Sequence, residues 1–196
     1  VYATLLKATF FDTLRTKEQL GYVVQLGLRA LPGAARPAAL VLLVQGDAAP
    51  AKLAKRLAAF VENEATAAVA RLDDAGLASV VAGLVAAKLE PDRRLFDQTG
   101  RHWEEIRRCR DAAVEDRALA PDWVRRYEAA EALKSLTAAE VRDHWTSVVR
   151  PGAAGTFGVE VYGRRAAPEP PREGQLVARS PVEARRFLAP LDLPVS

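Results

Sequence analysis

The 196-residue chain is 49% apolar and 27% charged, with a net charge of +3 and one cysteine, the make-up of one globular domain or of one domain with a tail. Cys109, the single thiol, excludes an internal disulfide and fits a reducing, intracellular compartment (cytosol or organelle), and no charge-free apolar run reaches the roughly 18 residues that a membrane-spanning helix needs. The arginines between 107 and 126 are interleaved with Glu104, Glu105, Asp111, Glu115, Asp116 and Glu128, which describes a solvated helical face rather than a basic patch for nucleic acid.

Taken in chain order, Leu5, Leu6, Phe10 and Leu14 recur at helical spacing, so the first 14 or so residues read as an amphipathic helix. Thr16 then offers an N-cap with Gln19 three residues on, Gly21 breaks the helical run, and Tyr22 opens a strand to Leu31 with Leu26 and Leu28 in phase. A Pro/Gly/Ala-rich turn over Leu31 to Pro37 leads to Ala39–Gln45, an almost continuous apolar run expected of a strand covered on both faces. Together the two strands predict an antiparallel hairpin.

Pro50 marks the first turn of a helix carrying Leu53, Leu57, Phe60 and Val61 on one face. Asp73 and Asp74 start the next, with a stripe through Leu77, Val80, Val81, Leu84, Val85 and Leu89 that Pro91 ends. Further helices are expected over Leu95–Arg110 and from about Pro121. Thr137-Ala-Ala-Glu140 is a capping box that opens one more, with Val141, Trp145 and Val148 inward. Trp103, Trp123 and Trp145 are expected to be core anchors, and Thr156–Tyr162 a third strand. After Gly163 the composition turns to Arg, Pro, Glu and Ala, as in an extended linker, and Leu188–Val195 regains apolar character suited to docking. The division is therefore a domain over 1–163 and a linker with a docking tail over 164–196. Helices packed on one face of an antiparallel sheet give an α+β, two-layer class.

Few residues carry catalytic chemistry. No Gly-x-Ser-x-Gly elbow, phosphate loop or Gly-x-Gly-x-x-Gly turn occurs. His102 and His144 lie some forty residues apart, and one histidine with a nearby glutamate falls short of the three protein ligands of a catalytic zinc. Arg15 and Tyr22 are the candidates for binding, because a guanidinium and a phenol flank one tight connection. Alternatively, Arg15 caps the helix end and Tyr22 is an edge-strand core residue.

The string from Phe11 to Val24, with Leu14-Arg15-Thr16, Gln19-Leu20-Gly21-Tyr22 and Val24, closely resembles the Leu-Arg-Thr-x-x-Gln-Leu-Gly-Tyr-x-Val segment in the C-terminal half of the insulysin and pitrilysin group of zinc peptidases, the M16 family. Ala39–Asp47, the His102-Trp103-Glu104-Glu105-Ile106 helix, the helix start at Lys134–Val141 and the apolar tail Phe187–Pro194 are similar to further parts of that family. The resemblance implies the two-layer M16 fold and a C-terminal, non-catalytic portion of a zinc endopeptidase that degrades peptides in an enclosed chamber. The zinc would then belong to a His-x-x-Glu-His helix in an N-terminal half of the same polypeptide, with no metal ligand and no catalytic residue in this chain. It implies that Arg15 donates to a substrate carbonyl near the scissile bond and that Tyr22 stabilises the tetrahedral oxyanion from the same side. Lys17, Glu18 and Gln19 are read as holding the turn. One departure stands out: the family has Glu-Pro before the Phe pair, where this chain has Ala8-Thr9, so contacts of that glutamate are lost. A start at Val1-Tyr2-Ala3 with no methionine fits a piece of a longer protein. The competing class is a catalytically inactive binding or assembly subunit of the same superfamily, and whether this protein is an enzyme is left open by its residues.

Overall fold

The computed structural model describes residues 1–30, 38–114, 121–149, 158–163 and 170, with side chains at 30 and 111–114 excepted. Helix α1 (Tyr2–Phe11) runs on without a break into a wider π-turn over Asp12–Lys17. Leu6, Phe10 and Leu14, spaced by four, line its inner face and are fully buried. Ala8 and Thr9 sit in this regular helix. Thr16 is inside the helix and not its N-cap, a correction to the sequence reading. The chain stops turning at Gln19, whose φ of 51° is left-handed, while Glu18 N–H donates to Thr13 O and Leu20 N–H to Leu14 O, each at 3.0 Å. These wide closures satisfy carbonyls at the helix end in the manner of a left-handed C-cap.

Strands β1 (Val23–Ala30) and β2 (Ala38–Gln45) pair antiparallel, with Val23 opposite Gln45 and Ala30 opposite Ala38. Directly opposed residues share a face, so Val24, Leu26, Leu42 and Val44 turn toward α1, and Val24 and Leu26 are buried. One expectation fails here. Val41 and Leu43, on the other face, are 39% and 45% exposed, so β2 is not covered on both sides; among the described residues the helices cover one face only. Tyr22 and Leu28 are exposed although in phase with the buried Leu26.

Helix α2 (Pro50–Phe60) starts with its proline at the first turn and passes through a π-turn (Val61–Ala65) into α3 (Thr66–Ala70). Phe60, Ala65 and Val69 join Phe10 in the main core, the two phenyl rings edge to face at 4.9 Å. Helix α4 (Asp74–Leu89) begins at the Asp73 cap, which accepts from Gly76 N–H at 2.8 Å. Its Leu77 and Val81 form a second core with Leu72, Ala138 and Val141. Helices α5 (Leu95–Val114) and α6 (Arg125–Lys134) precede α7 (Ala138–His144), which ends in a π-turn over Trp145–Val149. The predicted capping box is present in full: Glu140 N–H donates to Thr137 Oγ1 and Thr137 N–H to the Glu140 carboxylate.

Of the three tryptophans, only Trp145 is a core anchor, 1% exposed. Its indole N–H donates to Thr66 Oγ1 at 3.0 Å, and the same hydroxyl donates to the Val61 carbonyl, which lies five residues back across the π-turn. Trp103 and Trp123 are half exposed, a correction. The α5 residues whose side chains are described join neither core, and polar ties hold this part of the chain. Arg125 and Arg108 both pair with Glu105, and Arg101 with Asp92. A stripe of aromatics buries only where a partner face meets it.

The chain divides into two compact units, Val1–Val159 and Glu160–Ser196. In the second unit the described residues are Glu160 to Gly163 and Pro170, with Tyr162 Oη donating to Glu160 Oε2. Residues 158–163 join no strand ladder and Val159 and Val161 are exposed, so the expected third strand is not formed there. Thr156, Phe157, the 31–37 turn, Glu115 and Asp116, the 164–169 linker and the Phe187–Pro194 tail lie outside the described residues.

Candidate functional site

The site is built at the crossing where the chain leaves the α1 π-turn and enters β1. Gly21 and Gly46 face each other there. A Cβ on Gly21 would overlap the Gln45 carbonyl, 2.7 Å from its carbon, and one on Gly46 would lie 2.8 Å from Gly21 Cα. Only two glycines permit this approach, and it brings both ends of the hairpin under the same turn.

Arg15, on the last turn of the helix, donates through Nη1 to the Gly21 carbonyl at 2.6 Å. Tyr22 follows directly. Its backbone N–H donates to the Gln45 carbonyl at 3.1 Å, and its hydroxyl accepts from Gln45 Nε2 at 2.7 Å. The two predicted residues are thus held on either side of one peptide unit. Tyr22 is 66% exposed, which rules out the reading of it as a core residue. Arg15 does tie down the helix end, but with one of the five N–H donors of its fork.

Glu18 holds the turn from below, as the sequence suggested. Its carboxylate receives Arg56 from α2 in a two-point bond, Nε at 2.9 Å and Nη2 at 2.7 Å. Arg56 also pairs with Glu64 in the π-turn after α2. The bond from Arg56 holds the Glu18 carboxyl below its ordinary range, and the bond from Glu18 chiefly holds the Arg56 guanidinium above its own. Lys17 instead pairs with Asp12 one helical turn back, at 2.7 Å, and Gln19 supplies the left-handed link.

Sequence reasoning missed Gln45, Gly46 and Arg56 as parts of this site. The end of an apolar run at Gln45-Gly46 signalled a strand end, but no spacing rule links it to a residue 23 positions earlier.

The histidines lie elsewhere. His144 stacks on Tyr2 at 5.9 Å; the Tyr2 hydroxyl donates to the Val141 carbonyl at 2.8 Å and lies 3.0 Å from His144 Nδ1, and burial pushes that phenol up to about 12. His102 meets the Trp123 ring edge-on at 5.1 Å. Among the described residues no group of three or more His, Cys, Asp or Glu is placed to hold a metal ion.

Helices on one face of an antiparallel hairpin, with an Arg-turn-Tyr motif at the crossing, define a C-terminal domain of the M16 peptidase type. Residues 1–103 match the family model described as PQQ synthase PqqF-like, C-terminal lobe domain 4, and the chain belongs to that family. It is 31% identical over 107 residues to a Nardilysin-like protein of Arabidopsis thaliana, covering 54% of this chain and 10% of that protein. The crystal structure of pitrilysin superposes with a TM-score of 0.59 at 21% identity, over 74% of this chain and 14% of that one. The chain therefore spans a small fraction of the length of the proteins it matches.

Proposed function

We propose that this chain is the C-terminal, substrate-binding portion of a zinc-dependent metalloendopeptidase that degrades peptides in an enclosed chamber. In this reading the zinc is held by an N-terminal half of the same polypeptide, which is the chain's principal partner. Arg15 and Tyr22 are the residues that touch the peptide. The observation that carries the reading is the state of Tyr22, an exposed aromatic ring fixed at its backbone and its hydroxyl by hydrogen bonds rather than by packing. A phenol presented this way suits a ligand contact, with an apolar body and a polar tip. Arg15 adds a permanent charge within the same turn.

Chemically, Arg15 grips a peptide carbonyl in both ground and transition states, and Tyr22 donates to the scissile carbonyl oxygen as negative charge builds on it. The test is kinetic, in the full-length protein. Tyr22→Phe is expected to lower kcat by about 10²–10³-fold with KM little changed, the effect of removing one oxyanion donor. Arg15→Ala is expected to impair both constants, and Arg15→Lys to rescue little, because an ammonium cannot make a planar two-point contact. Wild-type kinetics from folded Tyr22→Phe and Arg15→Ala proteins would return both residues to a purely structural role.

A further inference from the structure

We infer that Gln45 is a positioning residue that sets the direction of the Tyr22 hydroxyl, making it a donor toward the open side of the crossing; this rests on the substrate-facing role proposed for Tyr22. A phenol both donates and accepts, so exposure alone leaves its polarity undecided. Here Gln45 Nε2 donates to the phenolic oxygen at 2.7 Å. The hydroxyl hydrogen cannot point back at an N–H, so it turns away from Gln45. Accepting a hydrogen bond also polarises the O–H and strengthens it as a donor.

The backbone makes the arrangement stiff. Gln45 accepts the Tyr22 N–H on its carbonyl at 3.1 Å, so one residue grips Tyr22 at two points. The register places Gln45 opposite Val23, at the end of the ladder. The glycines at 21 and 46 allow the approach that brings both groups within reach. An asparagine would be one methylene short of the phenol, and a glutamate would have the right length with the opposite polarity.

That contrast supplies the test. An ionised carboxylate accepts only, so in Gln45→Glu the Tyr22 hydroxyl turns inward and is lost to the substrate. In the full-length protein, Gln45→Glu is expected to lower kcat toward the level of Tyr22→Phe, about 10²-fold. KM should change little. Gln45→Met keeps the length without the donor and is expected to lose several-fold in kcat, which keeps the inference testable if the glutamate variant fails to fold. In a Tyr22→Phe background neither change should cost more than about twofold, since residues acting through one group are not additive. Affinity for a phosphinic peptide, whose tetrahedral anion mimics the charged intermediate, should fall in parallel and gives a readout apart from turnover. Wild-type kcat and affinity in Gln45→Glu, beside an impaired Tyr22→Phe, would overturn the role of Gln45 while leaving that of Tyr22. Additive losses in the double variants would overturn it too. A harmless Tyr22→Phe would remove the underlying reading and this inference with it.

Discussion

Gly21→Ala is the most direct probe of the crossing that builds the site. The added Cβ would sit 2.7 Å from the Gln45 carbonyl carbon and overlap its oxygen. Carbon atoms in contact prefer about 3.5–4.0 Å, so the two backbones must separate by about 1 Å. At that separation the 3.1 Å bond from Tyr22 N–H to Gln45 O no longer holds, a net loss of about 0.5–1.5 kcal/mol. Strain of the overpacked kind adds about 1–3 kcal/mol. A total of about 1.5–4.5 kcal/mol corresponds to a fall of about 3–18 °C in melting temperature for a domain of this size. Gly27→Ala is the matched control, a strand glycine with nothing within 4 Å of its added Cβ. It is expected to be neutral or to stabilise by about 0.4–1 kcal/mol through the unfolded chain. Thermal and urea unfolding of both variants give the comparison. Equal stability of Gly21→Ala and Gly27→Ala would refute the close approach and, with it, the geometry assigned to Arg15, Tyr22 and Gln45.

Trp145→Ala should cost about 3–5 kcal/mol in chemical denaturation, the loss of a buried aromatic, whereas Trp103→Ala and Trp123→Ala, at half-exposed positions, should each cost under about 1.5 kcal/mol. Glu18 is held below its unfolded value by Arg56, so its contribution is present above the unfolded carboxyl value of about 4.3 and lost as pH falls through the folded one. Glu18→Gln should therefore melt below the parent at pH 7, and the two curves should converge in acid. Parallel curves down to the lowest pH would show that the bond to Arg56 contributes nothing. Glu140, lowered by the Thr137 N–H, predicts the same convergence for Glu140→Gln.

Local features were legible from sequence because their causes lie within a few residues. The Thr137–Glu140 box, the proline start of α2, the Asp73 cap and the two strands of the hairpin follow from spacing alone, and the structure has each of them. Glu18 as a support of the turn also emerged, although its partner Arg56 did not. The end of α1 is different: Thr16 is a good cap residue, but the tie between Leu14 and Leu20 carries the helix past it.

Burial and contact across the chain were decided by tertiary structure. The sequence pattern put three tryptophans on helical stripes, yet Trp123 lies in the turn before α6 and only Trp145 meets a core, because periodicity defines a face and not what covers it. The apolar run of β2 promised cover on both sides, and Val41 and Leu43 are exposed because helices lie on one side among the described residues. The Arg15 to Tyr22 string marked the candidate site from sequence, since all its members lie within one turn. Gln45 and Gly46 enter it only because the hairpin folds back and two glycines let the backbones cross. Short-range order follows from side-chain preference along the chain, whereas the polarity of the Tyr22 hydroxyl comes from a residue that only folding brings to it.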